Sequence, residues 1–381
     1  MNFGKQTERM RELAVVLAAT LARVPARPLL IALAFSLIAA FAAVLYWNPP
    51  ISLEDEPDKV TFFQIGTGVV GGEYFAVGER LAAAISRPPG SLRCERGLPC
   101  GVTGLVAVAR SSAGPVANVR AVSASLFDSA IVAAPVLDLA TRAEGPFRGE
   151  KPFKGLRAIA GVYREAVYLA ASRGANIADV GGLKEMRVSI GLPGSGTQEA
   201  ALQVLAAHGL TRRMMSVWEH DTATAIDLML RGQLDAFFVV DALPSPVIRS
   251  IADRGSIDIV PIDSEDAAKL TGPNANFQRL AIPDGLYRFV PETVTLGVSM
   301  IWVVNENADT GLIYDITDAL FRRSNRVLLS GARLPGLLPG EEGEKEVLAI
   351  RSLPVPLHDG AARYYREEGY LVETGDAAPA R

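Results

Sequence analysis

The chain has 381 residues, 49% of them hydrophobic and 21% charged, which allows two domains of ordinary size with buried cores and excludes a disordered or fibrous protein. The formal net charge of −4 is unevenly placed: residues 1–50 carry Lys5, Arg9, Arg11, Arg23 and Arg27 against Glu8 and Glu12, leaving 33 basic and 40 acidic residues beyond Pro50, a net of −7. An acidic body with three histidines lacks the basic face that supplies most nucleic-acid affinity, so no nucleic-acid partner is expected.

Residues 1–28 form a basic tail, followed at 29–47 by LLIALAFSLIAAFAAVLYW, an uncharged run long enough for a helix to cross the roughly 30 Å hydrocarbon layer. Arginines precede the run and Glu54, Asp55, Glu56 and Asp58 follow it. The positive-inside rule therefore puts the N-terminus in the cytoplasm and everything after Pro50 outside. A cleavable signal peptide is the competing reading; the uncleaved anchor is favoured because the preceding tail is long and the small-residue stretch Ala40-Phe41-Ala42 lies inside the apolar run. A linker at 48–58 leads into the body. Cys94 and Cys100, in CERGLPC, are the only cysteines. Outside the cytoplasm a short-loop disulfide is expected; zinc would need two further ligands, and His208, His220 and His358 are remote in sequence. No metal or other cofactor is expected.

Beyond the linker, short apolar runs alternate with amphipathic, alanine-rich ones, the rhythm of an α/β protein with largely parallel strands. Strands are predicted at 60–66, 102–109, 129–134, 156–163, 166–172, 187–191, 235–240, 257–262 and 293–304. The clearest helices are predicted at 73–86, 198–208, 222–231, 246–254 and 310–324. An internal echo is visible. GTGVVGGEYFAVGERLAAAI and GLPGSGTQEAALQVLAAHGL both read as glycine loop into helix, and residues 126–140 and 233–252 share a plan of aspartate, apolar strand, proline and helix. Two related α/β lobes follow, with lobe 1 at 59–172, lobe 2 at 173–285, a return to lobe 1 with a C-terminal region at 286–370, and a disordered tail at 371–381. Two chain crossings between lobes make a hinge, and closure around a ligand is the corresponding motion.

The glycine loops carry the chemistry. SIGLPGSGT at 189–197 lacks the lysine of a Walker loop, and proline at 193 breaks G-x-S-x-G. GTGVVGG at 66–72 fails the dinucleotide spacing. Such loops open helices whose unpaired N–H groups and dipoles suit an anion, and Thr67, Ser195 and Thr197 add hydroxyls beside them. ARSSAGPVANVRAV at 109–122 again leads from strand to helix, with Arg110 either a carboxylate clasp or a solvated cation. Tyr74 either walls the pocket or packs in the core. Asp128 and Asp235 open strands in equivalent places and read as backbone-binding. Asp241 ends a strand, where it is a candidate for a ligand ammonium; His358 reads as structural. With no nucleophile and base in partnership, a binding protein explains the features better than an exported enzyme or a tethered sensor lacking a permease.

GTGVVGGEY, SSAGPVANVRAV, SIGLPGSGT, GQLDAFFVVDALPSP and LHDGAARYYREEG together resemble the TAXI family of extracytoplasmic solute receptors associated with TRAP transporters, in its membrane-tethered subgroup. The resemblance covers residues 60–369 and implies a type II periplasmic-binding-protein fold. In that fold two α/β lobes close on a small organic anion, glutamate or a dicarboxylate-like compound, for delivery to a sodium-coupled permease; an amino-acid ligand is what Asp241 with Arg110 opposite would suit. It implies ligand positions at Thr67 and Gly68, at Ser111, Ser112 and Asn118, and at Ser195, Gly196 and Thr197. Where the family shows T-G-G-S in the second loop this chain has Ser112-Ala113-Gly114-Pro115. The implied location is the bacterial inner membrane, single-pass, with the body in the periplasm.

Overall fold

The computed structural model describes residues 35–40, 60–91, 94, 100–271, 276–325, 328–329, 350 and 353–371. The chain divides into two units, Met1–Asp55 and Glu56–Arg381. In the first only residues 35–40 are described, as exposed helix. The rest of the predicted anchor at 29–47, the linker at 48–58 and all but residue 371 of the predicted tail lie outside the described residues or, for 35–40, are too short to test the span. Among the described residues no helix is long and apolar enough to cross a membrane.

The second unit is built on one ten-stranded sheet. Strand β1 (Thr61–Gly66) leads into α1 (Glu73–Ile85); β2 (Ser86–Arg87) and β3 (Val102–Thr103) form a separate parallel pair; β4 (Leu105–Arg110), α2 (Pro115–Ser123), β5 (Ser129–Ala133) and α3 (Ala134–Arg142) follow. Next come β6 (Leu156–Ser172), β7 (Arg187–Ser189), α4 (Gly196–Ala207), β8 (Ser216–Trp218), α5 (Thr222–Leu230), β9 (Ala236–Asp241), α6 (Pro246–Ala252) and β10 (Ile257–Ile259). The chain continues through α7 (Glu265–Ala268), β11 (Phe277–Ile282), β12 (Thr293–Asn305), α8 (Thr310–Phe321) and α9 (Asp359–Glu367).

The strand order is β4-β1-β5-β12-β6-β9-β7-β8. Strands β4, β1 and β5 are mutually parallel, as are β9, β7 and β8, and each trio is flanked by a long antiparallel strand, β12 or β6. The sequence echo thus has a topological counterpart, with β1 and β7 each central in its trio and each followed by a glycine loop. Ligands of open α/β sheets gather at such positions, beyond the carboxyl ends of strands where the order reverses.

The apolar runs are explained by coverage of both sheet faces. On β6, Val167, Leu169 and Ala171 enter the larger core while Ala166, Tyr168 and Ala170 enter a second core with Phe237, Ile248 and Tyr287. In α1 the buried Val77, Leu81, Ala84 and Ile85 recur at helical spacing and form its core face. Trp302 of β12, fully buried, donates its indole N–H to Ser129 Oγ at 3.0 Å, and Ser129 donates to the Gln64 carbonyl at 3.1 Å, linking β12, β5 and β1.

Several predicted boundaries change. The strands predicted at 156–163 and 166–172 are one strand: Arg164 and Glu165, which read as a turn, pair with Ser299 and Val298 of β12. Their side chains fall on opposite faces by the pleat, so two consecutive charges interrupt neither ladder. The strand predicted at 102–109 breaks at Gly104, whose φ of 79° is open to glycine and costly for other residues. The polar stretch 271–293 contains β11, an outer strand on β12. Asp128 accepts from the Gln64 backbone N–H at 2.7 Å and Asp235 from that of Arg187 at 2.8 Å, the equivalent backbone roles their positions predict. His358 caps α9, its Nδ1 accepting from Gly360 N–H at 3.2 Å.

Candidate functional site

The loops after β1, β4 and β7 meet over one cavity of about 170 Å³. Gly68, Val69 and Gly72 line it from the first loop, Ala113 to Pro115 from the second, and Leu192 with Ser195 to Thr197 from the third. Glu73 and Tyr74 of α1, Glu165 of β6 and Val240 of β9 complete the wall. The opposing loops are close: a Cβ on Gly196 would lie 3.3 Å from the Tyr74 hydroxyl, and one on Gly114 would lie 3.2 Å from the Gly194 carbonyl.

Three helices begin at this cavity. Helices α1 and α2 start at Gly72 and Gly114 with no side-chain cap, and the positive ends of their dipoles lie at the cavity. Gly114 has φ 119°, a conformation that lets the chain turn into Pro115 beside the third loop. Helix α4 is capped by Ser195, whose Oγ accepts from Gln198 N–H at 3.1 Å, while Gln198 Oε1 accepts from Gly194 N–H at 3.0 Å, a variant of the reciprocal capping box. Thr197 Oγ1 accepts from the Val240 N–H at 3.1 Å. Both hydroxyls act here as acceptors, which leaves each O–H proton available for donation.

Of the residues singled out by sequence, Gly68, Tyr74, Ser195, Gly196 and Thr197 line the cavity. Tyr74 donates to Met300 Sδ at 2.9 Å and stacks edge-on against Tyr163. The others stand off it. Thr67 is fully buried and its hydroxyl donates to the Arg110 carbonyl at 2.7 Å. Ser112 donates to the Thr67 carbonyl at 2.9 Å and accepts from Gly114 N–H at 3.0 Å. Asn118 is fully buried behind the loop, its amide donating to the carbonyls of Thr67 at 2.7 Å and Ile131 at 2.9 Å. These three hold the first and second loops together. Ser111 and Arg110 are exposed and not in the cavity wall. Asp241 accepts from Ala242 N–H at 2.9 Å and from the Ser245 hydroxyl, both local contacts at the end of β9. Cys94 and Cys100 form the predicted disulfide, with Cα atoms 5.4 Å apart. Beside it lies a larger hollow of about 930 Å³, away from the glycine loops; its Arg322 is committed to Asp318 and to the carbonyls of Cys100 and Gly101.

Sequence reading missed Glu165. It is 2% exposed, it lines the cavity, and its Oε2 has no hydrogen-bond partner among the described residues. Burial, then the charges of Asp241 and Glu73, push its carboxyl well above the usual range, against a smaller opposing pull from the Tyr163 hydroxyl. The available signal was a charged pair, Arg164-Glu165, set between two apolar runs that join into one strand.

The model of the NMT1-like family matches residues 65–369, most of the chain. The chain belongs to the NMT1-like family. Solved structures with likeness to it include MatC from Rhodopseudomonas palustris with bound malate, 13% identical, covering 81% of this chain and 99% of that one at a TM-score of 0.47. The periplasmic aliphatic sulphonate binding protein SsuA from Escherichia coli is 14% identical, covering 71% and 78% at 0.40. SsuA from Xanthomonas axonopodis pv. citri, bound to MOPS, is 17% identical, covering 73% and 82% at 0.40. The family match starts at β1 and ends just past α9, so it spans all three glycine loops.

Proposed function

We propose that this NMT1-like protein is an extracytoplasmic solute receptor, a binding protein and not an enzyme, that holds a small organic acid in the cavity between the glycine loops and delivers it to a TRAP-type permease. The observation that carries this reading is the convergence of three helix N-termini, two of them without side-chain caps, on a single small cavity. Ser195, the one serine in the wall, serves as a helix cap, a role suited to binding. In this reading Gly68, Tyr74, Ser195, Gly196 and Thr197 touch the solute, and Thr67, Ser112 and Asn118 hold the loops that do. The two lobes, expected along the chain at 59–172 with 286–370 and at 173–285, exchange within β6 near Glu165 and ahead of β12, because Ala166, Tyr168, Ala170 and Tyr287 pack with Phe237 and Ile248. The apolar run at 29–47 tethers the body to the periplasmic face of the inner membrane; the basic residues before that run and the disulfide after it support this orientation.

The test is thermal denaturation of the full chain against a panel of small carboxylates and amino acids. A solute at 100 times its Kd adds about 2.7 kcal/mol to stability. Ser195→Ala should reduce the shift and Arg110→Ala should leave it intact. A panel without any stabilising member, or consumption of one, refutes the proposal. Co-purification with a multi-span permease tests the delivery step separately.

A further inference from the structure

Glu165 occupies a singular place in the fold. Strand β6 pairs with β12 from Leu156 to Val167 and with β9 from Ala166 to Ala171, so Glu165 sits where the strand passes from one half of the sheet to the other. Its side chain forms part of the cavity wall, almost without solvent exposure, with one oxygen unpartnered among the described residues. A buried carboxyl with an unpartnered oxygen is costly unless something supplies a partner.

The surroundings indicate what that partner is. From α1, Glu73 faces the same space; from β9, Asp241 lies alongside; from β6 and α1, Tyr163 and Tyr74 pack nearby, and the Tyr163 hydroxyl is the one neighbour that favours the Glu165 carboxylate, although neither it nor Glu165 Oε2 completes a hydrogen bond among the described residues. Opposite on β12 are the uncharged Val298 and Ser299. The loops at 113–115 and 192–197 bring no charge. Arg164, the cation next in sequence, lies over Gly297 on the other face of the strand. Each charged side chain in the wall is therefore acidic, while the N-termini of α2 and α4 on the loop side favour an anion.

We propose that Glu165 selects the solute: its carboxylate receives a protonated amine, the solute's acidic group lies against the helix N-termini of the loops, and the cleft prefers a small zwitterion to the corresponding simple acid. The proposal rests on the solute-receptor reading of this cavity. In the empty cleft Glu165 holds its proton, because burial and two acidic neighbours oppose its charge. When the amine docks, the carboxyl O–H breaks, the proton leaves to solvent, and an N–H···O contact to the carboxylate forms, with the ammonium keeping all its protons. One proton is released per solute bound. Affinity consequently rises with pH by up to tenfold per unit, between the ordinary carboxyl range and the raised value of the empty cleft.

The experiment is titration calorimetry on the full chain with matched pairs, glutamate against glutarate, aspartate against succinate and alanine against propionate. It is run from pH 5 to pH 8 in two buffers of different ionisation enthalpy to count protons. The expected result is that one amine-bearing member binds on the order of 100-fold tighter than its deaminated partner, releases close to one proton, and tightens as pH rises. Glu165→Gln should remove most of that preference and the proton release; Glu165→Asp should retain proton release with weaker binding. Equal or tighter binding of the deaminated acid, no proton release by the parent chain, or an unchanged preference in Glu165→Gln overturns the inference while leaving the cavity as a solute site. If no pair binds, the reading of the cavity falls and the inference with it.

Discussion

Asn118→Ala tests whether the loops are held from behind. The parent amide makes two buried hydrogen bonds, to Thr67 O at 2.7 Å and Ile131 O at 2.9 Å, and each is worth about 1 kcal/mol net. The Thr67 carbonyl keeps the Ser112 hydroxyl as donor, so truncation leaves one carbonyl short of a partner. The orphaned carbonyl adds about 1–3 kcal/mol, and removal of Oδ1, which has no partner among the described residues, returns a similar amount. The net loss is about 2 kcal/mol, a sizeable part of a typical stability of about 5–15 kcal/mol. At roughly 2 °C per kcal/mol for a large domain, the melting temperature should fall by about 4 °C. Urea and thermal denaturation should be run on the full chain, empty and with saturating solute. A support residue lowers both curves together, with a small change in Kd from loosened loops. Unchanged stability of the empty protein with a marked loss of affinity would make Asn118 a ligand contact and refute the reasoning.

Two further predictions concern the cleft itself. Glu165 has a raised folded pKa, so its favourable contribution is complete below the unfolded value and lost as pH rises through the folded one. The stability difference between the parent and Glu165→Gln, measured by urea titration of the empty chain, should therefore move toward the variant on going from pH 5 to pH 8, at up to about 1.4 kcal/mol per unit; a flat difference would show that the carboxyl does not hold its proton there. Gly114→Ala forces a non-glycine residue to φ 119° with its Cβ 3.2 Å from the Gly194 carbonyl, so it should cost about 1–3 kcal/mol and weaken solute binding by separating the second and third loops. A variant as stable and as tight as the parent would mean the loops do not meet in solution.

Much of the fold can be read from the linear pattern because its causes are local. Apolar runs bounded by glycine and proline mark strands, and the glycine loops at 66–72 and 189–197 mark the entries to α1 and α4. Even the internal echo surfaced in two aspartates, Asp128 and Asp235, with equivalent backbone bonds. Where the reading failed, the cause was pairing at a distance. Arg164-Glu165 looks like a turn until β12 is seen to pair with both residues. The stretch 277–282 looks like a connection until it pairs with the same strand.

The residues alone determined that this chain is an α/β protein with three glycine loops leading into helices, and that two cysteines lie close enough along the chain to bond. Those features follow from backbone conformation and short-range spacing, which neighbouring residues control. Only the tertiary structure decided which side chains reach the cavity. It moved Thr67, Ser112 and Asn118 behind the loops, kept Arg110 out of the wall and brought in Glu165. That choice depends on burial and on charges contributed by Glu73 and Asp241, residues 92 and 76 positions away along the chain, and no local pattern encodes such an encounter.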